Sequence, residues 1–203
     1  MKIALIGATG NVGSKILAEA LNRGHHITGI VRNPDKLKPH ARLTARQGDV
    51  NDEIGLAKLF FGHVAVISSV RFKLMDPRVL IRAVKKAEVD RLLVVGGAGS
   101  LEVAPGIQLV DTPDFPAEYK AEALAGRDFL NLLRGEKILA WTFLSPSAFF
   151  GPGDRTGKFR LGKDHLLVGT KGESKISQED FAIAMIDELE VPHHTRKRFT
   201  VGY

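Results

Sequence analysis

A glycine-rich turn near the start of the chain constrains the fold more than any other feature of this 203-residue sequence. A short apolar run, Ile3–Ile6, leads directly into Gly7–Gly13, where glycine stands at the first, fourth and seventh positions. Apolar residues then recur at helical spacing until Gly24. A buried strand, a tight turn and a helix in that order predict the first unit of a parallel α/β sheet.

The same alternation continues along the chain. Further strands are predicted at His26–Val31, Leu43–Gln47, Val64–Ser68, Arg91–Val95 and Leu139–Leu144, with short ones at His165–Val168 and, at the sheet edge, Arg198–Val201. Helices are predicted at Ile54–Phe61, Arg78–Ala87, Ala117–Leu133 and from Ser177 onward, and Gly96–Pro116 is the longest predicted loop. The expected fold class is α/β: a Rossmann-type doubly wound parallel sheet with helices on both faces. We expect residues 1–203 to form a single domain, in which 145–176 are substrate-side loops of a small C-terminal extension.

Composition narrows the classes of protein that fit. The absence of cysteine excludes disulfide frameworks, thiolate metal sites and cysteine nucleophiles, and no histidine spacing predicts a metal site. No apolar run approaches the roughly 20 residues that span a bilayer, and no secretion signal is recognisable. We therefore expect a cytoplasmic protein that does not bind membranes. The excess of 29 Lys and Arg over 23 Asp and Glu suits a polyanionic ligand, nucleotide cofactors included.

The glycine turn has the chemistry of a phosphate-binding loop. Small residues let the chain turn sharply, let its amides approach a pyrophosphate, and let the helix pack closely on the strand. The phosphates then lie at the positive end of the helix that begins near Asn11. The residues predicted to bind a dinucleotide here are Gly7, Ala8, Thr9, Gly10, Asn11, Val12 and Gly13. A turn that merely connects two elements is the alternative.

Arg32 stands where the second strand ends, at the position that selects the dinucleotide. NAD sites carry an Asp or Glu about 20 residues beyond the turn, which accepts hydrogen bonds from the ribose. This sequence has Arg32-Asn33-Pro34 instead, with Lys36 close behind. Because a guanidinium offers phosphate a planar pair of donors, we predict NADP, with NADPH preferred. NAD stays an alternative, as does a purely solvated arginine.

Two further strand ends supply candidates along the same crevice. Asp49 and Val50 follow the third strand, where the carboxylate could accept from the adenine amino group and the valine could pack on the ring. Ser68 and Ser69 stand at the end of the fourth strand, where they would lie beside a ribose of the bound cofactor. Asp49 has an ordinary alternative role as a turn or helix cap.

Several stretches together resemble one family. Gly7–Gly13 with Arg32-Asn33-Pro34 is similar to the atypical short-chain dehydrogenase/reductase superfamily. The stretches that narrow the similarity are Val94–Leu101, Ser145-Pro146, Pro152–Gly157 and Arg198–Tyr203. They resemble bacterial NADH-flavin reductases, relatives of the biliverdin-IXβ/flavin reductases and of NmrA-like proteins. The resemblance spans nearly the whole chain and implies a Rossmann fold, nicotinamide binding and flavin reduction. It adds Gly97 and Pro146 to the expected cofactor-binding residues.

The usual proton donor of that superfamily, a Tyr-x-x-x-Lys pair, is missing. Ala123 stands four residues after Tyr119, where the lysine belongs, and Lys120 points about 100° away around the helix. Reducing a simple carbonyl calls for a proton at the developing alkoxide. A flavin or quinone mainly needs orientation near the hydride donor. The gap favours a conjugated acceptor, with flavin as a substrate rather than a bound cofactor. Ser100 and Tyr119 are the candidate catalytic residues; a hydrogen bond within the loop is the alternative role of Ser100, and simple packing is that of Tyr119.

The remaining acceptor-side candidates lie in neighbouring loops. Arg71, Phe72, Phe149 and Phe150 are candidates for holding a planar, anionic acceptor, and Arg155 and Lys158 for a basic lid over it. Each aromatic residue has core packing as its alternative.

The favoured function is hydride transfer from NAD(P)H to a flavin, quinone or similar conjugated acceptor. A non-catalytic NADP(H)-binding redox sensor that acts through a protein partner is the main alternative. A nucleotide-sugar epimerase is disfavoured by the missing Tyr-x-x-x-Lys pair and the short C-terminal part. The expected partner is a small molecule rather than nucleic acid, and a homodimer is compatible with the sequence.

Overall fold

The computed structural model describes all 203 residues. The strands are β1 (Lys2–Ile6), β2 (His26–Val31), β3 (Leu43–Gln47), β4 (Ala65–Ser68), β5 (Arg91–Val95), β6 (Glu102–Ala104), β7 (Ile107–Gln108), β8 (Ala140–Ser145), β9 (Phe149–Gly151), β10 (Arg160–Gly162), β11 (Lys175–Ser177) and β12 (Lys197–Gly202). The helices are α1 (Asn11–Asn22), α2 (Glu53–Phe60), α3 (Pro77–Lys86), α4 (Ala117–Gly135) and α5 (Gln178–Glu190). None of them is both long and apolar enough to cross a membrane.

Eight strands form the central sheet in the order β10-β12-β8-β5-β4-β1-β2-β3. Every neighbouring pair is parallel except β10 and β12, which are antiparallel. The chain runs outward from β1 to β3 and then returns to β4 on the other side of β1. The strand order therefore reverses between β1 and β4, and ligands of such sheets bind at the carboxyl edge near this reversal.

Side-chain alternation in β1 explains why helices cover both faces. Ala4 and Ile6 belong to the core that α2, α3 and α4 bury, whereas Ile3 and Leu5 belong to the core beneath α1 and α5. A strand that is apolar at every position must be covered on both sides. The predicted doubly wound α/β fold is confirmed.

The carboxyl-terminal edge of the sheet differs from the prediction. His165–Val168 is not a strand: His165 makes only an isolated bridge to Glu102, and the outer strand is β10. Consequently β12, which covers the predicted Arg198–Val201, is not the edge strand. The Leu167 side chain instead packs against Gly162 of β10 and Gly202 of β12, where a β-carbon on either glycine would lie about 3 Å from it.

Two smaller features complete the fold. The predicted loop Gly96–Pro116 contains the β6–β7 hairpin, whose turn holds Gly106 at a φ of 74°. At the start of α5, the Ser177 hydroxyl accepts a hydrogen bond from the Asp180 amide, so this is the helix start that the sequence predicts.

Candidate cofactor and acceptor site

The glycine turn folds back tightly against the end of β4. Gly7 has a φ of 81°, which L side chains rarely adopt, and a β-carbon there would overlap the carbonyl oxygen of Ser69. A β-carbon on Gly13 would in turn overlap the carbonyl of Gly7. Only glycine fits at these two positions, because the end of β4 and the first turn of α1 both pack closely against the turn.

The first turn of α1 leaves its backbone donors free. The Gly7 amide donates to the Ile30 carbonyl at 3.0 Å, and the Gly10 amide to the Gly7 carbonyl at 2.9 Å, which holds the turn in place. The amides of Asn11, Val12 and Gly13 have no protein acceptor, and Gly10 caps α1 without a side-chain hydrogen bond. Thr9, Gly10 and Asn11 are exposed at the tip. A pyrophosphate fits this cradle, because free amides and the helix dipole both favour an anion.

Arg32 lies one residue beyond β2, exposed and without an ion pair. The next residue, Asn33, caps a short helical turn by accepting from the Asp35 amide at 3.0 Å, which fixes the backbone beside the arginine. Lys36 is exposed in the same turn. The two cations are thus free to bind a phosphate beside the end of β2, as the predicted 2′-phosphate contact requires.

The residues that follow β3 and β4 make hydrogen bonds and contacts within the fold. The Asp49 carboxylate accepts from the Asn51 amide at 2.9 Å, the turn-forming role that was its alternative, and Val50 packs partly against the core. The Ser68 side chain is buried, while the Ser69 amide donates to the Ile6 carbonyl at 3.0 Å. The contribution of these four residues to adenine and ribose binding stays a prediction.

Gly97 and Pro146 follow neighbouring strands, β5 and β8. The Gly96 amide donates to the Leu144 carbonyl at 2.7 Å and joins the two strand ends. Ser100 lies below this edge: it is 4% exposed, and its hydroxyl and carbonyl oxygens accept from the buried guanidinium of Arg198. The structure therefore gives Ser100 a bond within the fold, and its catalytic role stays a prediction.

Tyr119 is 63% exposed on α4, and its hydroxyl has no hydrogen-bond partner in the protein. One turn onward, the Glu122 carboxylate accepts from the amides of Phe72 and Lys73 at 2.6 and 3.1 Å. The Phe72 ring packs against Phe129 and Phe143, with centroids 6.2 and 6.1 Å away. Phe72 thus serves the core, its alternative role, while the Tyr119 hydroxyl is not bound to any protein group.

Carboxylates of α1 and α5 bind the segment after β9 through an ion pair and hydrogen bonds. Arg155 places two guanidinium nitrogens 2.9 Å from the Glu19 oxygens, so it is tied to α1 and is not a free lid; Lys158 stays exposed. The Gly153 amide donates to Glu179 at 2.9 Å. We call Pro152–Gly157 the strap, because it crosses the surface without regular structure between these anchors.

Asp180 is the strongest of these anchors. Its side chain is fully buried and accepts from the amides of Thr156 and Gly157, both at 2.8 Å, and from the Tyr203 hydroxyl at 2.8 Å. Burial alone would raise the pKa of the Asp180 carboxyl, but a hydrogen bond from the Thr156 hydroxyl, together with those from Gly157, Tyr203 and the Thr156 amide, outweighs it and holds the pKa below its usual value. Burial and the nearby Asp180 carboxylate raise the pKa of Tyr203.

The pKa of the Glu19 carboxyl, on α1, is lowered for a similar reason. Burial would raise its pKa, but hydrogen bonds from Arg155 and Arg23 outweigh that effect and lower it. Sequence reasoning missed both carboxylates. Ser177 and Asp180, at the start of α5, indicated only a helix cap, and nothing in the sequence links Glu19 to a partner 136 positions away.

A cavity of about 500 Å³ opens between β9, β11 and the strap. Phe149, Gly151, Lys175 and Tyr203 line it, together with residues of the strap. Phe150, on the inner side of β9, packs on Phe181 with ring centroids 4.8 Å apart. None of the predicted cofactor-binding residues lines the cavity.

A family model described as NAD(P)H-binding matches residues 7–192, which includes the whole glycine turn. The chain belongs to this NAD(P)H-binding family. Its place there agrees with the free amides of α1, and the structure and the family together support an oxidoreductase-type protein that binds NAD(P)H.

Similar proteins carry differing descriptions. The chain is 45% identical to the uncharacterized protein YwnB of Bacillus subtilis, over 99% of this chain and 98% of that one. A structure of a "putative epimerase" from Bacteroides thetaiotaomicron is 46% identical, with a TM-score of 0.95 over 100% and 96% of the two chains. A structure of a "putative NADH-flavin reductase" from Streptococcus pneumoniae is 36% identical, with a TM-score of 0.84 over 100% and 99%. These names agree with a Rossmann-type fold but not on one reaction.

Proposed function

We propose that this member of the NAD(P)H-binding family is an NADPH-dependent reductase that transfers hydride to a flavin, a quinone or a similar conjugated acceptor. One observation carries the proposal: the amides at the start of α1 are free to bind a pyrophosphate, while the candidate catalytic residues lack the Tyr-x-x-x-Lys pair. Tyr119 is solvent-exposed with Ala123 in place of the usual lysine, and Ser100 is bonded to Arg198.

Each part of the cradle has a definable role. The free amides of Asn11, Val12 and Gly13 bind the pyrophosphate, and Arg32 binds the 2′-phosphate. Gly97 and Pro146 border the nicotinamide end of the crevice, beyond β5 and β8. Bound NADPH supplies the hydride.

The acceptor class follows from the missing Tyr-x-x-x-Lys proton donor. A simple ketone would need an acid to protonate its oxygen as hydride arrives. A flavin or quinone delocalises the added electrons over its rings, and water can protonate the reduced product. The protein then needs only to hold the ring in contact with the cofactor. Ser100 and Tyr119 remain the candidates for bordering that ring.

Oxidation of NADPH by the purified protein tests this proposal. We expect turnover with riboflavin, FMN and menadione and none with simple ketones. Good ketone turnover without flavin or quinone reduction would contradict it. Tight NADPH binding without reduction of any acceptor would favour the redox sensor instead.

Arg32→Glu tests the cofactor assignment. A carboxylate at this position loses the guanidinium–phosphate hydrogen bonds and repels the 2′-phosphate, so we expect NADPH to bind about 30-fold more weakly, roughly 2 kcal/mol. NADH affinity should stay the same or improve. Fluorescence titration with both cofactors measures the change. Lys137→Glu, an equal charge reversal on an exposed lysine before β8, is the control and should alter neither affinity. Equal weakening of NADPH and NADH in Arg32→Glu would contradict the 2′-phosphate contact.

A further inference from the structure

The loop after β4 touches the turns that follow both neighbouring strands. In the sheet, β4 lies between β1 and β5. On the β1 side, the Val70 side chain lies 3.5 Å from the place that a β-carbon on Gly7 would take. On the β5 side, the Phe72 ring lies 3.5 Å from the corresponding place on Gly97. Both glycines are predicted cofactor-binding residues. Arg71, which stands between Val70 and Phe72, therefore lies along the expected cofactor crevice.

The side chain of Arg71 is free to bind a ligand. Val70 and Phe72, its neighbours on either side, both pack against the core that α2, α3 and α4 bury. The Arg71 backbone is extended, with a φ of −60° and a ψ of 134°, so its side chain points away from that core. Arg71 is exposed, makes no capping hydrogen bond and has no carboxylate within ion-pair distance. Its charge is thus available at the carboxyl edge of the sheet.

The backbone that carries Arg71 is fixed before any ligand binds. On one side, the Ser69 amide donates to the last carbonyl of β1 at 3.0 Å. On the other side, the Glu122 carboxylate of α4 accepts from the Phe72 amide at 2.6 Å. One turn further along α4, Gly126 makes room for the Phe72 ring, since a β-carbon there would lie 2.6 Å from it. A cation on a segment held in this way loses little conformational entropy when it binds an anion.

The pyrophosphate of a bound dinucleotide carries more negative charge than the glycine turn can neutralise. The free amides at the start of α1 and the helix dipole supply only partial positive charges. Arg32 and Lys36 lie beyond β2, which is on the other side of β1 from β4. Arg71 can supply a full charge and a planar pair of donors from the β4 side.

We infer that Arg71 binds the pyrophosphate of the bound dinucleotide from the β4 side, opposite the amides at the start of α1, and that Glu122 is the positioning residue that holds its loop there. The inference rests on the cofactor cradle of the proposed function. It assigns to the cofactor a residue that the sequence places among the acceptor candidates. It does not depend on which acceptor is reduced, because NADPH and NADH carry the same pyrophosphate.

Arg71→Gln tests the inference by fluorescence titration with NADPH and with NADH, without turnover. Glutamine removes the charge and keeps a polar side chain, and we expect both cofactors to bind about tenfold more weakly, by the same factor. This distinguishes Arg71 from Arg32, whose reversal should weaken NADPH alone. Arg71→Lys keeps the charge without the planar pair of donors and should recover part of the affinity. Arg42→Gln, the same substitution at an exposed arginine before β3, at the opposite edge of the sheet, is the matched control and should alter neither affinity.

Glu122→Gln tests the positioning role. The amide oxygen of glutamine still accepts one of the two backbone hydrogen bonds, but its nitrogen cannot accept the other. The loop should loosen, and we expect both cofactors to bind about threefold more weakly. In the Arg71→Gln background the same change should have no further effect, because the group that Glu122 positions is gone. Equal weakening in both backgrounds would contradict the positioning role.

The outcomes separate this inference from the proposed function. Undiminished binding of both cofactors by Arg71→Gln would overturn the inference while leaving the reductase function intact. Weaker binding of NADPH alone would place Arg71 at the 2′-phosphate, against the inference. A higher KM for FMN or menadione at unchanged NADPH affinity would place Arg71 on the acceptor side and would also overturn it. Equal weakening of NADPH and NADH, in a protein that reduces no acceptor, would support the inference and contradict the function.

Discussion

Gly7→Ala is expected to weaken NADPH binding at least about 100-fold, the largest effect on cofactor binding that we predict. The native φ of 81° disfavours any side chain by about 1–2 kcal/mol, and the new methyl group would overlap the Ser69 carbonyl. The turn must therefore move away from β4, and the amides at the start of α1 move with it. Titration of NADPH fluorescence measures the loss.

Two companion variants make this prediction specific. Gly10→Ala places its methyl group 3.2 Å from the Gly7 carbonyl, a tight contact without positive φ, and should lose less affinity. Gly135→Ala lies in open space on α4 and should bind NADPH normally. A melting curve for each variant separates a displaced turn from general unfolding. NADPH affinity within about threefold of wild type in a folded Gly7→Ala variant would show that the turn is not the pyrophosphate cradle.

Glu188→Ala is expected to cost the most stability. The Glu188 side chain, on α5, is 4% exposed and accepts from the Arg91 guanidinium at 2.9 Å and from the amides of His193 and His194 at 3.1 and 2.9 Å. Its second oxygen lies 2.8 Å from Nδ1 of His194. Burial would raise the pKa of Glu188, but the hydrogen bonds from His194 and His193 outweigh it and lower the pKa.

Removal of this carboxylate leaves the buried Arg91 charge without its partner. Arg91 is 8% exposed, and this burial lowers the pKa of its guanidinium. Losing one member of a buried ion pair typically costs roughly 3–5 kcal/mol, so we expect a loss of that size in the free energy of unfolding.

Urea denaturation measures this loss as a lower midpoint at an unchanged slope. Glu118→Ala, at an exposed carboxylate in the first turn of α4, should change stability by less than about 0.5 kcal/mol and serves as the control. Because Arg91 and Glu188 lie at the amino end of β5, away from the glycine turn, NADPH affinity of the folded protein should be retained. A loss below about 1 kcal/mol would mean that Arg91 finds another acceptor or water.

The first half of the fold could be predicted because its signals are local. An apolar run such as Ile3–Ile6 is buried on both faces, and a glycine at the end of β1 marks a turn that only a residue without a β-carbon permits. The same local chemistry predicts the start of α5, where the Ser177 hydroxyl caps the helix. These features depend on neighbours within a few positions of the chain.

Three other features resisted prediction because they depend on tertiary contacts. His165–Val168 has the composition of a strand, yet Leu167 is used to cover Gly162 and Gly202. Arg155 resembled a free cation near the acceptor, but its charge is taken by Glu19 on α1. Phe72 has the chemistry of a stacking residue, but the core already holds its ring. Gly202, Glu19 and Phe143 each lie far along the sequence from the residue that they contact.

The sequence by itself determined the α/β class, the glycine turn and the arginine at the end of β2, since backbone geometry and charge type are properties of the residues themselves. Only the tertiary structure decided that the strap is anchored by Asp180 and Glu19, and that Phe149 and Gly151 share an open cavity. Hydrogen bonds between distant segments and the space left between them depend on packing, which no local pattern encodes.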